Sequence, residues 1–182
     1  MILAVEGIDF AGKGEVCPRL ARRLGAILYK TPPEHMREEQ NRINASATDQ
    51  DHYRYFVGVV QQASAEIREV SKFQNVVLDR YWMTTVVYHR VMGVAADIRD
   101  FGNIVMPDAT VYLTVSPEVQ RERMAKREMS PGDVRMLGRF HLVRQGYENA
   151  LSDTQRVIRV DTTQLTPEEV VDLVFVQIQL VR

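Results

Sequence analysis

Near the start of the chain, Gly7-Ile8-Asp9-Phe10-Ala11-Gly12-Lys13-Gly14 follows the pattern GxxxxGK. Glycines at this spacing permit a tight loop whose backbone N–H groups converge on phosphate oxygens. The following helix adds the positive end of its dipole, and a lysine reaches the outer phosphates. The pattern fails at its last place, where Gly14 replaces the serine or threonine whose hydroxyl ligates Mg2+. Gly7, Phe10, Ala11, Gly12, Lys13 and Gly14 form the expected triphosphate cradle. Glu15 could hold the metal through water, although acids favour a helix N-terminus in any case. A second pair, Asp79-Arg80, closes the apolar run NVVLD. An acid at the carboxyl end of a buried strand suits a metal anchor, and a planar guanidinium suits bidentate phosphate capture. A third feature lies between 121 and 144, where seven basic residues (Arg121, Arg123, Lys126, Arg127, Arg135, Arg139, Arg144) face three acidic ones. Arginines arriving from a closing segment would neutralise charge on a moving phosphoryl group.

Strand and helix patterns alternate so as to position these groups. The runs 2–6, 26–29, 75–79, 109–115 and 156–160 read as strands, nearly continuous in hydrophobicity and so buried on both faces of a parallel sheet. Amphipathic stretches separate them, which predicts an α/β domain of three layers with five parallel strands. Ser116-Pro117 opens a helix over 117–128, and Thr166-Pro167-Glu168-Glu169 is a capping box that starts the last helix at 167. Pro18 lacks the N–H that would bond the carbonyl of residue 14, so a distorted first turn is expected in the first helix. Ser130-Pro131-Gly132 reads as a mobile loop inside a lid spanning about 121–144.

The 182 residues suffice for one domain, and 45% hydrophobic with 26% charged residues is the globular balance. A net charge of −1 gives no wholesale attraction to nucleic acid or an acidic membrane. The sequence holds no apolar run near the roughly 20 residues that span a bilayer, and Met1 leads straight into MILAVE without a basic n-region. The single Cys17 excludes an internal disulfide and reads as a small packed side chain. The expected compartment is the cytoplasm. His35, His52, His89 and His141 show no zinc-ligand spacing.

The segments VEGIDFAGKG, LDRYWMTTVVYHRVMG, MPDATVYLTVSPEVQRERMAKRE, FHLVRQGYENAL and VIRVDTTQLTPEEV resemble those of thymidylate kinases, in order and across nearly the whole chain. The resemblance implies a nucleoside monophosphate kinase fold, a cytoplasmic homodimer, and transfer of phosphate from ATP with Mg2+ to a nucleoside monophosphate. In the family that reaction converts dTMP to dTDP. Carried over residue by residue, Lys13 and the loop hold ATP, and Asp9 approaches the acceptor's sugar hydroxyl. Asp79 serves the Mg2+ shell through water or the acceptor phosphate, Arg80 binds that phosphate, and Tyr88 closes on the sugar. Arg123 and Arg127 match the lid positions, while Phe10 stands where some members have a loop arginine, so the lid must supply that charge.

This chain also departs from the family pattern. Phe56 is available to stack on the base, but Val60 replaces the arginine that reads the base edge, with Arg54 or Gln61-Gln62 as possible substitutes. Lys30 stands in for a phosphate arginine, and His89 replaces a frequent glutamine, most simply as a structural group. The expectation is an atypical member with altered acceptor selectivity. Two alternatives stay open: a non-catalytic nucleotide-binding relic, and a kinase for another small phosphorylated or hydroxyl acceptor.

Overall fold

A computed structural model describes residues 1–152 and 154–180. Five strands, β1 (Ile2–Gly7), β2 (Ile27–Lys30), β3 (Val76–Asp79), β4 (Ala109–Thr114) and β5 (Val157–Asp161), pair in the order β2-β3-β1-β4-β5. Every pairing is parallel. All five fall where the apolar runs place them. Around the sheet lie α1 (Lys13–Leu24), α2 (Arg37–Ser46), α3 (Asp49–Val70), α4 (Trp82–Val91), α5 (Pro117–Ala125), α6 (Pro131–Met136), α7 (Phe140–Leu151) and α8 (Pro167–Leu180). None of the helices is long and apolar enough to cross a membrane, among the described residues.

Alternate residues of β1 serve two cores. Leu3 and Val5 pack with Val16, Cys17 and Leu20 of α1 and with Val170 and Val174 of α8. Ile2 and Ala4 pack with Val60, Ala63 and Ile67 of α3 and with Val86 of α4. Cys17 is thus a packing residue, and burial pushes its thiol up. Burial on both faces explains why β1, β3 and β4 read as unbroken hydrophobic runs, whereas the edge strands β2 and β5 expose alternate residues, contrary to that expectation.

The strand order puts the carboxyl ends of β1, β3 and β4 side by side, with the chain leaving β1 and β3 toward opposite edges of the sheet. Such a switch point opens a crevice for ligands. Register fixes the details: Val5 faces Asp79 on one side, and Gly7 faces Leu113 on the other.

Two local expectations are corrected. α1 runs unbroken through Pro18. Ser130-Pro131-Gly132 is the start of α6 and not a loop. The Ser130 hydroxyl accepts from the Asp133 N–H at 3.2 Å, and the Asp133 carboxylate accepts from the Ser130 N–H at 2.8 Å, a capping box with proline at the first position. The capping box at Thr166 and Glu169 forms as the sequence indicates.

Gly7 has φ +144, and a Cβ there would stand 2.3 Å from the Leu113 carbonyl oxygen, a backbone atom that cannot yield without breaking the β1–β4 pairing. Gly7→Ala should lower unfolding free energy by about 3 kcal/mol. Gly14→Ser, in open space, should stay within about 0.5 kcal/mol of the parent. Urea unfolding midpoints check both, and equal effects would contradict this account of the close approach.

Candidate active site

The β1–α1 loop is built from left-handed turns and cross-links. Gly12 caps α1 at φ 92, and its carbonyl accepts the N–H groups of Glu15 and Val16 at 3.0 Å. Phe10 at φ 69 and Arg80 at φ 68 also adopt the left-handed region, which costs a non-glycine residue on the order of 1–3 kcal/mol. Arg80 lines the crevice, and Phe10 lies in the loop next to Asp9, which lines it too. Lys13 is buried and donates to the carbonyls of Gly7 at 2.6 Å and Ile8 at 2.8 Å. Burial, with the neighbouring Arg80 charge, lowers its pKa to about 8.

Asp9 joins three elements. Its carboxylate accepts from the Arg80 guanidinium in a very short contact and from the Tyr88 hydroxyl at 2.8 Å. Its carbonyl accepts from Gln120 Nε2 on α5 at 3.0 Å. Burial alone would raise the Asp9 pKa, but the charges of Arg80 and Lys13 outweigh it and hold the carboxyl below its usual range. Beneath this pair, buried Glu6 accepts from the Tyr81 N–H at 2.9 Å, from the Thr84 hydroxyl and from the Tyr147 hydroxyl at 3.2 Å, fixing the turn that carries Asp79, Arg80 and Tyr81.

Two cavities flank the loop. The larger, about 270 Å³, has a basic end lined by Lys30 and Arg80, with Arg127 reaching in from the basic segment. Asp9 and Tyr88 stand beside that end, and the far end carries Phe56, His52, His89 and Asn44. Thr31, also in its wall, has a buried hydroxyl without a hydrogen-bond partner among the described residues. The smaller, about 200 Å³, lies on the other side of the loop between Ala11, Gly12, Glu15, Arg123 and the apolar Leu165 and Val170.

The crevice thus brings together Asp9, Lys30, Phe56, Arg80, Tyr88 and Arg127 as expected from the sequence, and leaves others out. Val60 is fully buried in the core beside Ala4 and Leu78, so it faces away from the cavity and cannot contact a ligand. Arg54 pairs with Asp51 on the surface at 3.1 Å, Gln61 donates to the Phe101 carbonyl and Gln62 to Glu66, so none replaces a base-reading arginine. Arg123 belongs to the smaller cavity, where it donates to the carbonyls of Phe10 at 3.1 Å and Thr162 at 2.8 Å. Glu15 is exposed there as well.

No group of three His, Cys, Asp or Glu side chains converges on a metal position among the described residues. Mg2+ fits this donor set in one way, with a single protein carboxylate and the remaining positions filled by water and phosphate oxygens, as that ion prefers. Asp79 suits the part: it is buried at the end of β3, and no described residue donates a hydrogen bond to its carboxylate.

At the far end, sequence reasoning missed a buried chain of polar groups. His89 Nδ1 donates to the Thr85 carbonyl at 2.6 Å, leaving Nε2 to accept from His52 Nδ1 at 2.7 Å. His52 Nε2 stands 2.8 Å from the Asn44 amide oxygen, and a neutral His52 requires that amide to present its NH2 instead. Burial lowers the pKa of His52 to about 3 and of His89 to about 4, so both are neutral near pH 7. Phe56 lies against His52 with ring centroids 4.8 Å apart. Arg135 of α6 closes over this end by donating to the carbonyls of Asn44 and Ala47 at 2.6 Å and to Asp49 at 2.7 Å.

A family model described as thymidylate kinase matches residues 5–174. The chain belongs to the thymidylate kinase family. It is 29% identical to a probable thymidylate kinase of Archaeoglobus fulgidus over 72% of this chain and 73% of that one. Identity to a cytidylate kinase of Mycobacterium leprae is also 29%, over 90% of this chain and 81% of that one. The thymidylate kinase of Candida albicans superposes with a TM-score of 0.78 at 18% identity, covering 98% of this chain and 90% of that structure, a likeness of fold. The family consists of nucleotide kinases, which accords with a loop of phosphate-binding type between two cavities.

The histidine pair makes the fold acid-labile. Unfolded imidazoles take up protons below about pH 6.5, while the folded ones resist until about 4 and 3. Stability is therefore complete above 6.5 and lost as pH falls toward those values, at up to about 1.4 kcal/mol per pH unit per histidine. Thermal midpoints from pH 7 to 5 should fall less steeply in His52→Phe than in the parent. Parallel curves would remove the pair from the acid response.

Proposed function

We propose that the protein transfers the γ-phosphoryl group of ATP to the phosphate of a pyrimidine nucleoside monophosphate. The observation that carries this reading is the pair of cavities bordering one phosphate-binding loop, the larger lined both by the basic Lys30, Arg80 and Arg127 and by the aromatic Phe56. ATP occupies the smaller cavity, its base against Leu165 and Val170 and its phosphates along the amides of residues 10–14. The monophosphate occupies the larger one, its phosphate between Arg80 and Lys30, its sugar by Asp9 and Tyr88, its base against Phe56. Similarity to both a thymidylate and a cytidylate kinase supports a pyrimidine without choosing between them.

In the reaction an acceptor phosphate oxygen bonds to the γ-phosphorus as the bond to the β-phosphate oxygen breaks, giving a diphosphate and ADP. Lys13 exchanges its carbonyl partners Gly7 and Ile8 for phosphate oxygens. Arg80 orients the attacking phosphate, and the segment 121–144 serves as the lid, with Arg127 and Arg123 countering charge as it spreads over the transferred group. Asp79 would hold Mg2+ through water, and the ion would supply positive charge to offset that of the phosphates.

ADP release over a panel of dTMP, dCMP, CMP, UMP and purine monophosphates should find a pyrimidine acceptor whose turnover falls at least about 100-fold in Lys13→Ala and in Arg80→Ala. ATP binding with no turnover on any acceptor would establish the relic reading instead. A pH profile offers a separate check. Deprotonating Lys13 above its lowered pKa of about 8 removes the charge ATP meets in the free enzyme, so kcat/KM for ATP should drop as pH rises past 8. Lys13→Arg should remove that limb of the profile, and a limb that persists unchanged assigns it to another group.

A further inference from the structure

Phe10 is an odd residue for the middle of a phosphate-binding loop, because it offers neither a small surface nor a charge, and it is held in a left-handed conformation at φ 69. Its surroundings give it a use. The Arg127 guanidinium lies over its ring at 4.5 Å from the centroid. Phe140 at the start of α7 meets the ring edge-on, with centroids 6.2 Å apart and planes at 90°, and so fixes its orientation. The Phe10 carbonyl accepts from Arg123 at 3.1 Å. One loop residue therefore holds both arginines, one on its backbone and one on its π face.

The remaining partner of Arg127 is Asp133, 2.8 Å away, whose side chain is only 5% exposed while that of Arg127 is 57% exposed. Asp133 is itself bound into the cap of α6 by the N–H and hydroxyl of Ser130. Two fixed groups, the ring and the carboxylate, thus determine where an otherwise mobile guanidinium sits. A cation at position 10 would repel Arg127, Arg123 and Lys13, whereas an aliphatic side chain would offer no negative face.

Resting on the phosphoryl-transfer reading, we infer that Phe10 is a positioning residue for the reaction, a pad on the phosphate-binding loop that holds the lid arginine Arg127 at the entrance to the acceptor cavity. Its side chain, unlike its backbone amide, is not assigned to either reacting phosphate. Its contribution reaches the chemistry through Arg127.

The test uses the full chain with Phe10→Leu, which keeps an apolar side chain and removes the π face, and Phe10→Trp, which retains one. Phe10→Leu should lower kcat about tenfold while KM for ATP stays within about twofold, and Phe10→Trp should recover most of the loss. In an Arg127→Ala background, Phe10→Leu should cost less than about twofold more, because the group it positions is gone. A readout independent of turnover accompanies these: the Arg127 Nε–Hε NMR resonance, displaced upfield by the ring current, should lose that displacement in Phe10→Leu and keep it in Phe10→Trp. Equal losses of kcat in both backgrounds overturn the inference, as does an Arg127 resonance that ignores Phe10→Leu. Should the parent turn over no acceptor, the proposed function falls, and with it Phe10's part in a reaction; the resonance then decides only whether the pad holds Arg127.

Discussion

The contact between Asp9 and Arg80 is the constraint from which the rest of the crevice takes its shape. It ties the loop after β1 to the turn after β3, two segments 71 residues apart in sequence that become neighbours only because β1 and β3 pair in parallel. Desolvating both charges is costly, and attraction offsets that cost only when the geometry is good and the remaining polar positions are filled. Here they are filled. Tyr88 takes the second Asp9 oxygen, and the nearby Lys13 charge further favours the ionised carboxyl. The pair also explains the left-handed backbone at Arg80: the Arg80 N–H donates to the Val5 carbonyl at 3.1 Å, so the main chain is held to β1 while the side chain reaches Asp9.

Glu6 supports that contact from below. A carboxylate buried in the sheet has its pKa raised by desolvation, yet three donors from α4, α7 and the β3–α4 turn converge on this one. The segment carrying Asp79, Arg80 and Tyr81 is thus anchored by a network in which each carboxylate oxygen has a donor, and networks of that kind rigidify the groups above them. The opposite wall is held differently. Gln120 donates to the Asp9 carbonyl, and Arg144 donates to both the Gln120 side chain and the Val115 carbonyl, so α5 and α7 fix the loop through neutral acceptors.

Much of this could be read from the sequence wherever the signal was local. The central strands β1, β3 and β4 announced themselves because burial on both faces leaves unbroken apolar runs, and the last helix because Thr166 and Glu169 cap each other three residues apart. The phosphate loop and Asp79-Arg80 were legible as short motifs. Ser130-Pro131-Gly132 misled because serine followed by proline serves a turn and a helix start equally; Asp133, one residue further on, was the deciding signal. Val60 misled because equivalence to a family position says nothing of which helix face that position occupies in α3. Asn44, His52, Gln120 and Arg135 carried no motif at all. Their roles arise where α2, α3, α5 and α6 meet, through side-chain contacts spanning up to 111 residues in sequence.

Those missed residues bear on how the acceptor base would be chosen. A reader built as an unpaired guanidinium needs its substrate to complete its hydrogen bonds, and rejects analogues lacking the matching acceptor strongly, by roughly 10⁴-fold or more. The chain from Thr85 through His89 and His52 to Asn44 is instead completed within the protein, and burial keeps it neutral. It loses little when the slot is empty and has correspondingly little to gain from any particular base edge. Discrimination at such a wall comes from stacking on Phe56, from shape and from desolvation, effects worth about 1–3 kcal/mol between close analogues. On the proposed reading, replacing a charged reader by a self-satisfied one leaves phosphate recognition intact while broadening the set of bases that the slot accepts.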